Sequence, residues 1–482
     1  MFLIAEQGLA MTLVPVNPVT SRRHFLQAAG CGFGAIALAA LQAERAAANP
    51  LAPRAPHFTP RARRVIFLFM QGGPSHMDLF DYKPRLARSH GQPLPFTLPA
   101  VEQTVGMNNT RLLGPVAGIR PHGQSGLLVS DLLPNLARHA DDLCVLRGMV
   151  ADSPNHPTAI NFLHTGALND LRPSLGAWLA YGLGTENRNL PGYITILPGE
   201  GERNYNSAFL PAIYQGTPIQ DVGGSRPPIR HLSDAGTSPN VQRRRLDLIQ
   251  AMNRRHLERL RADQQMEGVI ESFELAFRMQ AEAPRLVDLT GETRRTLDLY
   301  GIGREPTDQF GRQCLLARRL AEAGVRFIQV TLNGWDHHGS IRSAIPVSCA
   351  RADRPIAGLL ADLKARGLLH DTLVVWAGEF GRTPHSQDLT MGQAPLSEFG
   401  REHNPHGFTI WLAGGGVKGG FTHGATDDFG YRAVTGRVHM HDLHATILHL
   451  LGLNHERLTF RVAGRDFRLT DVHGEVVREI MA

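Results

Sequence analysis

Six short apolar runs limit what this chain can fold into. They are Arg64–Gln71, Leu143–Met149, Tyr193–Leu197, Val325–Val330, Thr372–Trp376 and Phe408–Leu412, each rich in β-branched or aromatic residues. Runs of that length, bounded by turn residues, read as buried strands. Between them lie stretches with helical spacing: Asp131 to Asp141 (with Asp131 placed to cap it), Ser174 to Leu183, Gln313 to Ala323, Pro355 to Leu368 and His439 to Leu451. Strands alternating with helices predict an α/β protein, a three-layer α/β/α sandwich around a mostly parallel sheet. Pro198 to Pro239 is rich in Gly, Pro and Asn and reads as a surface excursion. Val241 to Glu282 is helical, with Leu246, Ile249, Met252, Leu257, Leu260, Ile270, Phe273 and Phe277 as its apolar residues, and its arginines and glutamates read as a solvated face. Residues 198–300 are thus expected to be a loop and helical insertion in a domain spanning 61–482.

The strand ends carry the chemistry. The Val325–Val330 run leads into a turn holding Asp336, His337 and His338. Ligands of open α/β sheets collect outside the carboxyl ends of the strands, and carboxylate and imidazole are ligands for divalent transition metals. The first run breaks into Gly72 and Gly73, which let backbone approach closely, so Gln71, Ser75, His76, Asp78 and Asp81 become site candidates. After the second run, Asn155, His156 and Thr158 precede a helix closing at Thr165-Gly166, where an N-terminus favours an anion. The Thr372–Trp376 run ends near Glu379 and Arg382; the arginine either pairs with that carboxylate or clamps an anion bidentately. His403 and His406 flank Pro405, which fixes a loop beside the last strand. His439, His441, His444 and His449 follow helical spacing and read as surface or structural.

Ser21-Arg22-Arg23-His24-Phe25-Leu26, a mild apolar run to Leu41 and a small-residue end at Ala46–Ala48 describe a twin-arginine signal over residues 1–48. Export of the folded chain to the periplasm or beyond is expected, with the twin-arginine machinery as partner. Residues 49–60 read as a Pro/Ala-rich linker, and no segment is apolar enough for a stable span once the signal is removed. The formal charge of +6 comes from arginines dispersed along the chain, since only Lys83, Lys364 and Lys418 are lysines. With no dense basic run interleaved with aromatics, nucleic-acid binding is not expected. Beyond the signal, Cys144, Cys314 and Cys349 are an odd, widely spaced set that gives no disulfide framework.

Five segments together resemble the alkaline phosphatase and sulfatase superfamily, and more closely a twin-arginine-exported, sulfatase-like bacterial family. They are Phe69–Ser75, His156 through Gly166, Gly334–His338, Gly378–Arg382 and His403–Gly407. The resemblance implies an alkaline phosphatase-like fold and an ester hydrolase using a divalent ion (zinc, calcium or manganese) on a small-molecule or polymer ester of phosphate or sulfate. It implies Asp336, His338 and His406 as metal ligands, with His337 and His403 as alternates. His156 falls at the nucleophile position with Thr158 two residues on, so His156, Thr158, Glu379 and Arg382 are the implied catalytic set. Gln71 stands where the superfamily has a metal-binding Asp, and Glu379-Phe380 replaces an Asp-His pair. These departures imply a reduced, one-metal site; the alternative is a degenerate, non-catalytic member that binds a ligand or partner in the envelope.

Overall fold

Alternation along the first strand builds a two-sided core. In β1 (Arg64–Gln71), Ile66, Leu68 and Met70 enter one apolar cluster while Val65, Phe67 and Phe69 enter another. Successive side chains of a strand leave opposite faces, and a central parallel strand buried on both is apolar throughout. The computed structural model describes residues 49–98, 110–199, 201–224, 227–230, 232, 236–260, 264–388, 390 and 393–482. The expected export signal at 1–48 lies outside the described residues, and Asn49–Ala482 form one unit.

The strands that build the main sheet and the ribbon beside the site are, after β1, β2 (Leu143–Val150), β3 (Tyr193–Ile196), β4 (Thr217–Ile219), β5 (Phe327–Asn333), β6 (Thr372–Ala377), β7 (Gly381–Gln387), β8 (Gly400–Asn404), β9 (Phe408–Ala413), β10 (Phe421–His423) and β11 (Val438–His439). The main sheet runs β10-β2-β9-β6-β1-β5-β3-β4, with β11 pairing β2 off that path. Its pairings are parallel except those of β9 with β2 and β6, which are antiparallel. The expected mostly parallel sheet is therefore present. Separately, β7 and β8 form an antiparallel ribbon.

The principal helices are α1 (His156–Thr165), α2 (Leu175–Leu183), α3 (Pro239–Leu260), α4 (Gln264–Val287), α5 (Asp308–Glu322), α6 (Ile341–Ala365) and α7 (Met440–Leu450). Phe162 of α1, Trp178 of α2 and Leu443 of α7 pack on one face of the sheet with Phe67 and Val375. Leu316 of α5 and Leu359 of α6 cover the other with Ile66 and Val374. Each such side chain, fully buried, contributes roughly 1.5–3 kcal/mol. Cys144, Cys314 and Cys349 are buried free thiols.

Several local expectations change. The helix over 131–141 is instead a short 3-10 turn, Leu136–Asp142. Its first N–H groups are taken by Asp353 of α6, which accepts from Asn135 N at 3.0 Å and Leu136 N at 2.7 Å, while Asp131 pairs with Arg120 at 2.6 Å. The 198–239 excursion contributes the edge strand β4, hidden in sequence by Pro218. The helical insertion is a hairpin, α3 against α4, tied by Arg243 to Glu274 at 2.8 Å and by Gln250 Nε2 donating to Ile270 O at 2.6 Å. Residues 49–60 are not a free linker: Leu51 is buried, and His57 N donates to Gly452 O at 2.8 Å.

Candidate metal centre

Five chain segments meet where β1, β5 and β6 end. After Gln71 the chain turns through Gly72 at φ +118°, where a Cβ would stand 2.4 Å from Asp336 N. Only glycine fits, and the close approach lets Trp335 N donate to Gln71 O at 3.2 Å. Trp335 is buried and anchors the turn after β5, so the next side chains alternate in direction. Asp336 and His338 face the sheet edge. His337 points inward, its Nε2 3.1 Å from Ser348 Oγ. The ribbon lies across this turn because Gly400 has no side chain; a Cβ there would be 2.2 Å from His337 O. That placement sets His403 opposite Arg382 in the ribbon register.

His156, Asp336, His338 and His403 come together so that one potential ligand atom from each lies within 4.8 Å of the others. The Nε2 atoms of His338, His156 and His403 are 2.9, 3.2 and 3.4 Å from Asp336 Oδ1. The far nitrogen of every ring meets an oxygen. His156 Nδ1 is 2.6 Å from Glu379 Oε1, His338 Nδ1 2.5 Å from Gln387 Oε1, and His403 Nδ1 2.6 Å from Pro154 O. An Nδ1–H held by an acceptor leaves the Nε2 lone pair for a metal, and metal-binding histidines are oriented this way. His156 Nε2 is also buried without an aligned hydrogen-bond partner. Three imidazoles and a carboxylate suit zinc and its neighbours better than calcium, which prefers an all-oxygen shell. The residues fit a divalent transition-metal ion.

Glu379, fully buried, also accepts Gly72 N at 3.0 Å, so it braces both the β1 turn and His156. Burial works to lower the His156 pKa, but the Asp336 and Glu379 carboxylates more than offset it and push it up to about 9. Burial likewise works to raise the Asp336 pKa, yet the three histidines and the Arg382 charge hold it well below the usual carboxylate range. His403, desolvated and facing Arg382, is lowered. His337 falls to about 4 through burial and the same Arg382 charge.

The expected ligand trio is altered. His406 stands outside the cluster, its ring 5.9 Å from Tyr431 and its backbone N held by Asn404 Oδ1 at 3.0 Å. It follows the strand end, beyond the Pro405 turn, whereas His403 sits inside β8 over the site. His337 is excluded because its buried ring turns inward to Ser348. His156, expected at the nucleophile position, joins the cluster as a possible ligand. Thr158 is half-buried beside the cluster rather than in it, its hydroxyl 3.5 Å from Asn155 Oδ1. Asn155 precedes α1 without capping it through its side chain. Arg382 is no open anion clamp. It is fully buried and donates to Gly73 O at 2.9 Å, Arg401 O at 3.0 Å, Asp336 Oδ1 at 2.5 Å and also to Gly72 O.

The first-strand candidates find partners inside the fold. Ser75 Oγ donates to Asp78 Oδ2 at 2.5 Å, Asp78 pairs with Arg401 at 2.9 Å, and His76 Nε2 lies 2.8 Å from Gly430 O. Asp81 pairs with Lys83 at 3.0 Å. Gln71 lies outside the cluster but lines a cavity of about 730 Å³ that opens on His156 and Asp336 and is also walled by Asn161, Arg203 and Asn333. His441 and His444 are buried against Gly166 O and Leu163 O, each at 2.8 Å. Sequence reasoning missed Gln387 and Glu402. Gln387 Nε2 donates to Glu402 Oε2 at 2.7 Å, a link that orients His338. Nothing in the local sequence marks Gln387; it is found only through the ribbon pairing.

A family model described as a protein of unknown function (DUF1501) matches residues 62–481. No curated protein matches the chain. Among solved structures, the chain is similar to the lipoteichoic acid synthase LtaP from Listeria monocytogenes at 10% identity, covering 87% of this chain and 78% of that one, with a TM-score of 0.36. It is also similar to PsFucS1 sulfatase from Pseudoalteromonas sp. (14% identity, 82% and 69% covered, TM-score 0.32). A protein in the alkaline phosphatase superfamily from Vibrio parahaemolyticus matches at 9% identity, with 84% and 70% covered and a TM-score of 0.30.

Proposed function

The chain belongs to the DUF1501 family, and for it we propose an exported, metal-dependent hydrolase of phosphate or sulfate esters with one ion held by His156, Asp336, His338 and His403. The observation that carries this reading is the convergence of three imidazole Nε2 atoms on one Asp336 oxygen, each ring fixed from behind by an oxygen acceptor. The ester chemistry is supported by the strand-end segments that resemble the alkaline phosphatase and sulfatase superfamily. A bound divalent ion supplies Lewis acidity that polarises an ester oxygen and lowers the pKa of water.

The protein's own groups do the rest. Glu379 keeps the His156 ring oriented through Nδ1, and the Glu402–Gln387 pair does the same for His338. Arg382 holds Asp336 in place from beneath. In the adjoining cavity, Arg203 supplies positive charge for the anionic oxygens of an ester, with Gln71 and Asn333 as further polar wall groups. Export is supported by the Ser21–Leu26 motif.

The test is metal content and turnover of the purified full chain. About one equivalent of transition metal is expected, lost in His403→Ala and Asp336→Ala, together with metal-dependent hydrolysis of an aryl phosphate or aryl sulfate. A chain that never takes up metal sinks the proposal. Metal without turnover on either ester would favour a non-catalytic ligand-binding role, the reading that Thr158 favours by standing outside the cluster.

A further inference from the structure

The outer face of α3 combines two properties that a merely solvated helix does not need. Leu248 and Met252 are 64% and 63% exposed, with Ile249 exposed beside them and Phe273 of α4 exposed nearby. The inner face of the same helix is separately satisfied: Leu246 and Gln250 are buried against α4, and Gln250 reaches Ile270 O. Leu248 and Met252 are therefore left largely uncovered among the described residues, with Ile249 and Phe273 half-covered at the edge of the α3–α4 groove. They are flanked by cations on the same side: Arg244 and Arg245 one turn before, Arg255 and Arg259 one to two turns after. At 1.5 Å per residue the stripe from Arg244 to Arg259 runs about 22 Å. Among the described side chains no carboxylate stands in that stripe, while Glu258 borders it in the helical sequence. Asp247, one position aside, is held by Arg243 at 2.6 Å, and Glu274 by the same arginine at 2.8 Å.

We propose that this face of the α3–α4 hairpin docks on an anionic phospholipid bilayer surface. Apolar side chains central to a helix lying in the interface, with arginines at both ends, match the layering of acyl boundary and charged headgroups. A second copy of the chain fits poorly, because a two-fold pairing would set Arg244 against Arg255 or Arg259 of the other copy. A nucleic acid would use the arginines but leave Leu248 and Met252 without a role. The inference does not depend on the metal centre.

The experiment is co-sedimentation of the full chain with phosphatidylglycerol-containing vesicles and with phosphatidylcholine vesicles. Two variants accompany it, Leu248→Glu/Met252→Glu and Arg244→Ala/Arg255→Ala/Arg259→Ala. Any contribution of the first 48 residues is the same in all three proteins. Because the substituted side chains are exposed, thermal melting should stay unchanged. Binding to the anionic vesicles alone is expected, falling about fivefold per arginine removed and lost with the two glutamates. No binding to anionic vesicles, binding undiminished in both variants, or retention on a DNA duplex without vesicle binding would each overturn the proposal.

Discussion

At the scale of single residues, the centre depends on the atoms behind the ligands. Glu379→Gln keeps the shape but withdraws the carboxylate from His156 Nδ1, so metal affinity should fall about 10–100-fold with the fold intact. Competition against a chromophoric chelator measures this, and an unchanged affinity would remove Glu379 from the site. The His156 proton gives a second expectation. Its pKa is raised to about 9 from 6.5, so below about pH 9 an ion must displace a proton from this ring. Apparent affinity of the metal-free protein should rise about tenfold per pH unit between 6.5 and 8.5, with one proton released on uptake. A flat profile would contradict the raised pKa. The same proton stabilises the metal-free fold fully below pH 6.5, and that contribution disappears as pH rises through 9. His156 and Asp336 could be singled out from sequence as strand-end polar residues. The choice of His403 over His406 could not, because it is made by ribbon register rather than by local composition.

Secondary elements set this geometry through backbone contact. Gly72 lies at φ +118° against Asp336 N, so Gly72→Ala should cost about 1–3 kcal/mol and lower metal occupancy at the same time. Gly291, where a Cβ meets nothing within 4 Å, provides the control: Gly291→Ala should leave both unchanged. Chemical denaturation with metal analysis distinguishes the two variants. Strand positions were legible because β-branched apolar runs announce themselves. Strand direction was not: β9 runs antiparallel, and no feature of Phe-Thr-Ile-Trp-Leu encodes which way it enters the sheet. The helix expected at 131–141 failed for a similar reason, since Asp353, more than 200 residues downstream, decides where that turn begins.

For the molecule as a whole, buried neutral histidines predict acid sensitivity. Burial lowers His164 to about 4, and His385 and His444 to about 3. Their unfolded value is 6.5, so the unfolded chain binds more protons as pH falls below it. The stability these groups provide is complete above pH 6.5 and declines toward pH 4, by up to about 1.4 kcal/mol per pH unit for each. Urea midpoints of the metal-free protein across that range should show the decline, and His444→Gln should make it shallower; a flat midpoint would rule it out. The layered architecture was readable from alternating patterns alone, whereas the centre emerges only after folding, from segments as far apart as His156 and His403. An ion gripped by all four side chains would act as a clasp on the finished structure: no unfinished chain can close it, and once it is closed, no single segment can peel away without undoing the rest.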